Sequence, residues 1–330
     1  MHSRPRPAAS RPDAGLAVVI VSFNTRHHLC SCIASAFREG ASVIVVADNG
    51  SEDGSVETIR QLFPSVVVDL DASNPGYGAA ANRAIRRCAG RDVLLLNGDT
   101  CLRPGALEAL SQYLAAHPGA GIVGPRLLNP DGTLQRSCFS FPTPLSPPLQ
   151  TDPIGYLTGR IPGFRERSLA SWSNNRARVV PWVTGAALAI RRQAFDDLGG
   201  FDESFVLYAE EIDLCYRARQ RGWETHFVPA AEIEHVGGSS TRQRRAAMLA
   251  QGCRSAMHFY RRHYAGHALA GAACTMAGAM AGRVVRDCLR RAMTTDPVRR
   301  AQLTEDLAVW RSALVHAMRT GFQAPIERIR

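Results

Sequence analysis

The sequence predicts an α/β protein with an open parallel sheet, flanking helices and a C-terminal helical extension. The main observation is that strand-like and helix-like segments alternate at βαβ spacing between residues 16 and 117. The strand-like segments are short apolar runs such as 93–96, which end in turn residues and are typical of strands buried on both faces. The chain after Gly238 is typical of helices with arginine-rich faces.

Each element follows from this alternation in chain order. Strands are predicted at 16–22, 42–47, 66–69 and 92–96, and helices at 28–38, 55–62, 77–88 and 104–117. The alternation breaks after Gly124, and residues 138–180 carry clustered prolines, as in a long functional or disordered connection. Regular structure resumes with a strand at 183–190, a helix from Arg191 and a helix at about 210–222.

The positive charge is concentrated in the C-terminal part of the chain. Residues 236–330 carry 16 arginines against five acidic residues, whereas the preceding residues are nearly neutral. This asymmetry favours an anionic partner, either a membrane surface or a nucleic acid. No nucleic acid is expected, because aromatic residues are not interleaved on a defined platform. All 39 basic residues are arginine, for which codon usage in a GC-rich genome is the simplest explanation.

Cysteine spacing and apolar runs indicate an intracellular protein. Nine cysteines occur without a C-x-x-C pair, which fits reduced thiols better than disulfides or a zinc site. Residues 1–14 lack the apolar core of a signal peptide and are expected to form a disordered leader. No apolar stretch is expected to reach the length of a spanning helix. The nearest, 268–282, is expected to pack on protein or to lie in a membrane interface.

Three predicted strands end in polar residues at what should be the same edge of the sheet. These residues are Ser22 and Asn24, then Asp48, and then Asn97, Gly98 and Asp99. Each group alone is explained by a turn, but together they favour a nucleotide site at the carboxyl edge. There Asp48 can accept the N3–H of a uracil or thymine ring, which would select a pyrimidine nucleotide. Asp99 can hold Mg²⁺ or Mn²⁺ that bridges a diphosphate.

The segment 74–82 places glycines ahead of a helix without forming G-x-G-x-x-G. Asn74 and Gly78 would let a ligand approach the backbone, and Asn82 would project from the first helical turns. A plain helix N-terminus preceded by a turn explains the segment equally well.

Three acidic residues open the helix predicted at 210–222. Glu210 and Asp213 are explained by the helix macrodipole. Glu211 instead shares a face with apolar residues, namely Leu207, Leu214 and Ala218. A carboxylate directed towards the sheet is costly without a task or partner, so Glu211 is a candidate general base. His235 follows a short strand; such a histidine is more often structural, but with Asp99 it is a candidate metal ligand.

Seven motifs, in this order, resemble the inverting glycosyltransferase family 2, in its rhamnosyltransferase-like branch with the GT-A fold. They are VVIVSFN (18–24), VVADNGSEDGS (45–55), NPGYGAAANRAI (74–85), LLLNGD (94–99), TGAALAIRR (184–192), GGFDESFVLYAEEIDLCYRARQRGW (199–223) and EHVGG (234–238). The resemblance implies a Rossmann-like sheet and a contact between Asp48 and the pyrimidine base of the donor. A further implication is a motif that binds the metal and the diphosphate, in which Asn97 stands in place of the first acidic residue and Asp99 is the remaining carboxylate. It also implies that Glu210–Glu211 stand for the family's Glu-Asp pair, with Glu211 as the base, and that His235 completes the metal site.

The implied reaction moves a sugar from a pyrimidine nucleotide-sugar, dTDP-L-rhamnose first, to a lipid-linked or free glycan, as in cell-wall polysaccharide synthesis. A UDP-hexose transferase is the alternative, and a non-catalytic nucleotide-sugar or membrane-binding module is another. A nucleotidyltransferase is disfavoured, since no basic glycine-rich loop follows the first strand. The expected parts are a GT-A domain at 15–240, with the acceptor loop at 138–180, and a basic tail at 241–330. The tail is expected to attach the cytoplasmic protein to an anionic membrane or to form a homodimer.

Overall fold

A large mixed sheet forms the centre of the computed structural model, which describes residues 15–88, 90–144, 169, 172, 174–237 and 245–321. Its strands, with those of a small second sheet, are β1 (Ala17–Ser22), β2 (Ile44–Asp48), β3 (Val67–Leu70), β4 (Val93–Asn97), β5 (Thr100–Leu102), β6 (Ala120–Leu128), β7 (Leu134–Gln135), β8 (Cys138–Phe139), β9 (Arg178–Val179), β10 (Trp182–Val183), β11 (Ala187–Ile190) and β12 (Glu224–His235). The helices are α1 (Arg26–Arg38), α2 (Ser55–Leu62), α3 (Tyr77–Arg86), α4 (Ala106–Ala116), α5 (Arg192–Leu198), α6 (Glu210–Gln220), α7 (Arg245–His263), α8 (Gly266–Met293) and α9 (Pro297–Gly321).

The main sheet has the order β3-β2-β1-β4-β11-β6-β12-β5. In addition, β7 pairs with β6, and β9 pairs with β12. The first four strands of this order are parallel, as the alternation predicts. Strand β11 runs antiparallel to both β4 and β6, so the expectation of a parallel sheet is corrected to a mixed one. Its four residues are buried, and an apolar run specifies burial but not direction.

Strand β6 was missed because Gly124 and Pro125 resemble strand breakers. Gly124 is required by close packing, since a Cβ there would lie 2.6 Å from Val183 Cγ1. Pro125 pairs with Val228, beside an irregularity in the β6–β12 register, where a proline is tolerated. The two residues therefore mark a closely packed and irregular part of a buried strand.

The chain divides into two compact units. The first consists of Met1–Ser140, Trp172–Ser204 and Glu210–Ser239, and the second of Phe141–Ser171, Phe205–Ala209 and Ser240–Arg330. The sequence-based division had placed 141–171 and 205–209 with the first part. The leader at 1–14 and most of the acceptor loop, 145–168, lie outside the described residues.

The second unit is built from α7, α8 and α9. The hydroxyls of Tyr260 and Tyr264 donate to the carbonyls of Thr143 and Pro142 at 2.9 and 2.8 Å. Helix α8 is 28 residues long and, by length and composition alone, is the one helix of the described residues that could cross a membrane; 28% of its apolar window is buried. The sequence predicted no apolar stretch of spanning length, whereas the run at 268–282 lies in a 28-residue helix with an 18-residue window that meets this criterion.

Candidate active site

The carboxyl ends of β1, β2 and β4 meet at one edge of the sheet, as predicted. In the parallel registers Ser22 pairs with Asp48, and Val21 pairs with Asn97. The polar residues that follow each strand are thereby brought together in the first unit. Side chains separated by up to about 75 residues of sequence share this edge only because the strands are parallel and in register.

A network of short hydrogen bonds fixes the first two strand ends. The backbone N–H and the hydroxyl of Ser51 each donate to Asp48, both at 2.7 Å, and the N–H of Asn24 donates to the Ser51 hydroxyl at 2.8 Å. Ser22 and Thr25 exchange a hydroxyl hydrogen bond of 3.1 Å. Asp48 is fully buried in this arrangement. Its carboxylate thus stabilises the turn, and its contact with a pyrimidine base stays a prediction.

The third strand end places Asp99 beside His235. Gly98 allows the turn, because a Cβ at this position would lie 2.6 Å from the Thr25 hydroxyl oxygen. The Asp99 carboxylate and His235 Nε2 are 3.4 Å apart, and both side chains are largely buried. The backbone N–H of Val236 donates to the Asp99 carbonyl at 3.0 Å, which ties the end of β12 to this turn.

Gln135 orients the His235 ring and was not anticipated from the sequence. Its side-chain N–H₂ donates to Asn129 Oδ1 at 2.9 Å and to the His235 carbonyl at 3.2 Å, which directs its Oε1 towards His235 Nδ1 at 2.6 Å. His235 Nδ1 therefore donates to that oxygen, and Nε2 is the ring nitrogen directed towards Asp99. An imidazole oriented by an outer amide is a common arrangement around protein-bound metals.

The donor set fits a divalent cation that takes its other ligands from a diphosphate. A carboxylate oxygen and an imidazole nitrogen suit Mn²⁺ or Mg²⁺. Among the described residues, no group of three or more histidine, cysteine or acidic side chains could hold a metal by itself. Asp99 and His235 therefore form a donor pair at this edge of the sheet, and their binding of a cation stays a prediction.

The structure gives Gly78 and Asn82 roles other than the predicted ligand contacts. The Asn82 side chain donates to the Phe201 carbonyl and to Glu203, both at 2.9 Å, and accepts from the Phe201 N–H at 2.8 Å. A Cβ on Gly78 would lie 3.1 Å from Phe201 Cβ. Asn82, at 1% exposure, fastens the loop before α6, and Gly78 lets that loop pack on α3. Asn74 is exposed with a φ of 49°, and its ligand contact stays a prediction.

The acidic start of α6 is buried more deeply than its sequence pattern predicts. Asp213 is fully buried in an ion pair of 2.6 Å with Arg217, and Glu210 is 5% exposed, so the macrodipole does not account for either. Glu211 is half-buried, and Leu207 is not its helical neighbour, because α6 begins at Glu210. The face argument for Glu211 is corrected accordingly. The helix presents two adjacent glutamates to the interior instead of one.

Burial controls the protonation of this pair. It raises the pKa of Glu210 well above its usual value, and the charge of Glu211 raises the pKa further. Burial also raises the pKa of Glu211, while hydrogen bonds from backbone N–H groups, including that of Gly185, oppose the increase. The Oε2 atom of each glutamate has no hydrogen-bond partner in the described part of the chain. Glu211 is therefore the more readily ionised of the two glutamates, and its role as the base stays a prediction.

Comparison with known proteins gives a consistent family assignment. Residues 12–254 match the family described as "Glycosyltransferase like family 2". The chain is 32% identical over 295 residues to the N-acetylglucosaminyl-diphospho-decaprenol L-rhamnosyltransferase of Mycobacterium tuberculosis (strain ATCC 25618 / H37Rv), an alignment that covers 84% of this chain and 94% of the relative.

Two solved structures share the fold at 18% sequence identity and a TM-score of 0.52. One is the mannosyltransferase PcManGT from Pyrobaculum calidifontis, in complex with GDP-Man and Mn²⁺, where the match covers 96% of this chain and 90% of the other. The other is GalNAc-T7 with UDP, GalNAc and Mn²⁺, where it covers 76% and 50%. At this identity the likeness establishes the GT-A fold.

Proposed function

Because the chain belongs to glycosyltransferase family 2, we propose that it transfers L-rhamnose from dTDP-L-rhamnose to a hydroxyl of a polyprenyl-diphosphate-linked glycan, with inversion at the anomeric carbon. The observation that carries this proposal is the 32% identity to a rhamnosyltransferase named for an N-acetylglucosaminyl-diphospho-decaprenol acceptor, across 84% of the chain. A UDP-linked hexose is the alternative donor. The product would serve cell-wall or surface polysaccharide synthesis.

The donor would bind at the carboxyl edge of the sheet. Asp99 and His235 would hold Mn²⁺ or Mg²⁺ against the diphosphate, with Asn97 and Gly98 in the same turn. When bound, the cation offsets the negative charge that develops on the leaving nucleoside diphosphate. The nucleoside would lie along Ser22, Asn24 and Asp48, where the rigid turn network supports its position, and Asn74 would contribute from the neighbouring loop.

The acceptor would be activated by Glu211. Its carboxylate takes the proton of the acceptor hydroxyl as that oxygen bonds to the anomeric carbon. The bond from this carbon to the diphosphate oxygen breaks at the same time, and its electron pair leaves with the nucleoside diphosphate. A positioned general base contributes roughly 10²–10⁴-fold to the rate. Glu210, which burial keeps protonated to a higher pH, would limit the charge repelling the diphosphate.

The C-terminal helices support attachment to the cytoplasmic face of an anionic membrane. Val285, Leu289 and Met293 lie on successive turns of α8 and are 59%, 60% and 83% exposed, beside the exposed Arg286 and Arg290. An apolar stripe flanked by arginines suits a surface of anionic lipids.

We expect Leu289→Asp to weaken flotation with vesicles containing phosphatidylglycerol. The control is Leu62→Asp, since Leu62 is an equally exposed leucine of α2. Equal binding by both variants would contradict membrane attachment through this stripe of α8. A dimer that only Leu289→Asp dissociates would instead support a homodimer through these helices.

Calorimetric titration with dTDP, UDP and GDP, with and without Mn²⁺, tests the donor site. We expect Mn²⁺-dependent binding of dTDP that is lost in Asp99→Ala and retained in Asp131→Ala, which alters an exposed loop aspartate. Binding of UDP alone would favour the hexose alternative. If no nucleotide binds in any condition, the proposed donor site is wrong.

A further inference from the structure

Tyr77, the first residue of α3, connects that helix to the segment around Gly185, which contacts the proposed base Glu211. Its hydroxyl donates to the carbonyl of Gly185 at 2.7 Å, across 108 residues of sequence. Its ring packs edge-on against Phe201, with ring centroids 6.3 Å apart. A tyrosine held by its ring and by its hydroxyl has one orientation, so the hydroxyl acts as a fixed donor.

The segment around Gly185 is fastened on either side of that residue. The N–H of Thr184 donates to the Ser137 carbonyl at 2.9 Å, and the N–H of Asn97 donates to the Ala186 carbonyl, also at 2.9 Å. Asn97 is the residue that opens the Asn97–Asp99 turn at the end of β4. The segment is therefore joined directly to the proposed donor site.

Gly185 also lies against Glu211. A Cβ on Gly185 would meet the Cβ, Cγ and Cδ atoms of Glu211 at 3.7–3.8 Å, which is ordinary van der Waals contact. Burial raises the pKa of Glu211, and a hydrogen bond from the Gly185 N–H is among the contacts that lower it. The backbone of one residue thus connects the Tyr77 hydroxyl to the carboxylate of the proposed base.

The Tyr77 phenol remains a donor throughout the working pH range. Burial raises its pKa well above the usual value, and the charges of Glu210, Glu211 and Asp99 raise it further. The geometry places this donor against the segment that contacts Glu211 at Gly185 and is hydrogen-bonded to Asn97 at Ala186.

We propose that Tyr77 is a positioning residue, which fixes Gly185 by its hydroxyl and thereby holds the Glu211 carboxylate in register with the donor site at the end of β4. This inference rests on the proposed role of Glu211 as the base. It adds a requirement that the proposed function does not contain, since no role is assigned to Tyr77 there. A base displaced from its acceptor hydroxyl loses rate even when both substrates still bind.

The test compares Tyr77→Phe with Tyr113→Phe. The control removes a hydroxyl on α4 that is hydrogen-bonded to His226 of β12. The substrates are dTDP-L-rhamnose and a synthetic N-acetylglucosaminyl-diphospho-lipid. Loss of one neutral hydrogen bond should lower kcat about threefold to tenfold in Tyr77→Phe, with donor KM within about twofold. The control should keep kcat within about twofold. A smaller effect in Tyr77→Phe than in the control would overturn the inference.

The pH profile separates positioning from a general loss of stability. Glu211 must be ionised to act, so activity falls as pH falls through its pKa. In Tyr77→Phe the hydrogen bond from the Gly185 N–H to the Glu211 carboxylate should be weaker. The ionised form of Glu211 then loses stabilisation, and the acidic limb of kcat/KM should move to higher pH. The same shift should appear without substrate in ¹³C NMR of the glutamate carboxyl carbons, with Glu211→Gln identifying the resonance. An unchanged Glu211 titration would contradict the proposal.

A double-mutant cycle distinguishes failure of this inference from failure of the proposed function. If Tyr77 acts through Glu211, adding Tyr77→Phe to Glu211→Gln should change kcat by less than about twofold. If the two substitutions lower kcat by independent factors that multiply in the double variant, the coupling is refuted and Glu211 remains the proposed base. Wild-type kcat in Glu211→Gln would reject the base assignment and the inference with it.

Discussion

Asp213→Asn should cost far more stability than its place on a charged helix suggests. Asp213 is fully buried and Arg217 is 16% exposed, so the ion pair is almost completely withdrawn from water. Breaking such a pair by removing one partner typically costs about 3–5 kcal/mol, because the other charge stays buried. Arg217 also donates to the carbonyls of Leu198 and Gly200 at 2.8 and 2.9 Å. Since these two acceptors remain, we expect a loss near the lower limit, about 3 kcal/mol.

Asp196→Asn is the matched control. Asp196 and Arg192 form the same kind of ion pair one helical turn apart, at 2.9 Å, but their side chains are 56% and 23% exposed. An exposed pair at this spacing contributes about 0.3–0.5 kcal/mol. The free energy of unfolding is measured for both variants by urea titration. Similar losses in the two variants would refute the argument that desolvation makes the Asp213 pair important.

Two further predictions concern the site itself. Gln135→Ala should weaken Mn²⁺ binding in the presence of dTDP by about 10–100-fold, because His235 loses the group that orients it. Calorimetry at constant pH measures this affinity. An unchanged affinity would show that Gln135 does not support the metal site. Glu210→Gln should raise the free energy of unfolding at neutral pH. The raised pKa of Glu210 means that its contribution to stability is present below the unfolded-state pKa and is lost as pH rises through the folded-state value. The advantage of the variant in urea titrations should therefore shrink in acid, and an advantage independent of pH would contradict the assignment to ionisation.

The first four parallel strands of the sheet order could be predicted because local sequence specifies them. Strands β1, β2 and β4 are short apolar runs between turn residues, and such a run specifies a buried strand without reference to the rest of the chain. Strand β3 was predicted from the alternation, although it lies at the edge of the sheet and Val67 and Leu70 are exposed. The same reasoning failed at β6, where Gly124 is a glycine because Val183 packs against it. It also failed for the direction of β11, which is set by the path of the chain before it.

The residues of the candidate site also differ in whether local sequence or distant contacts reveal their role. Asp99 and Glu211 were identified because a carboxylate beside buried apolar residues is conspicuous in any sequence. The opposite holds for Asn82, whose side chain makes three hydrogen bonds to residues 119 and 121 positions away that the sequence did not predict. Neither partner can be anticipated from the helix that carries Asn82.

The sequence by itself therefore determined the first strands of the sheet and the polar residues that follow β1, β2 and β4, because hydrophobic periodicity and turn chemistry are local properties. Only the tertiary structure decided that Gln135 orients His235 from 100 residues away, and that Tyr77 reaches Gly185 beneath Glu211. Such hydrogen bonds depend on the position of a partner in space. That position is known only once the strands have been ordered and the connecting loops packed against them.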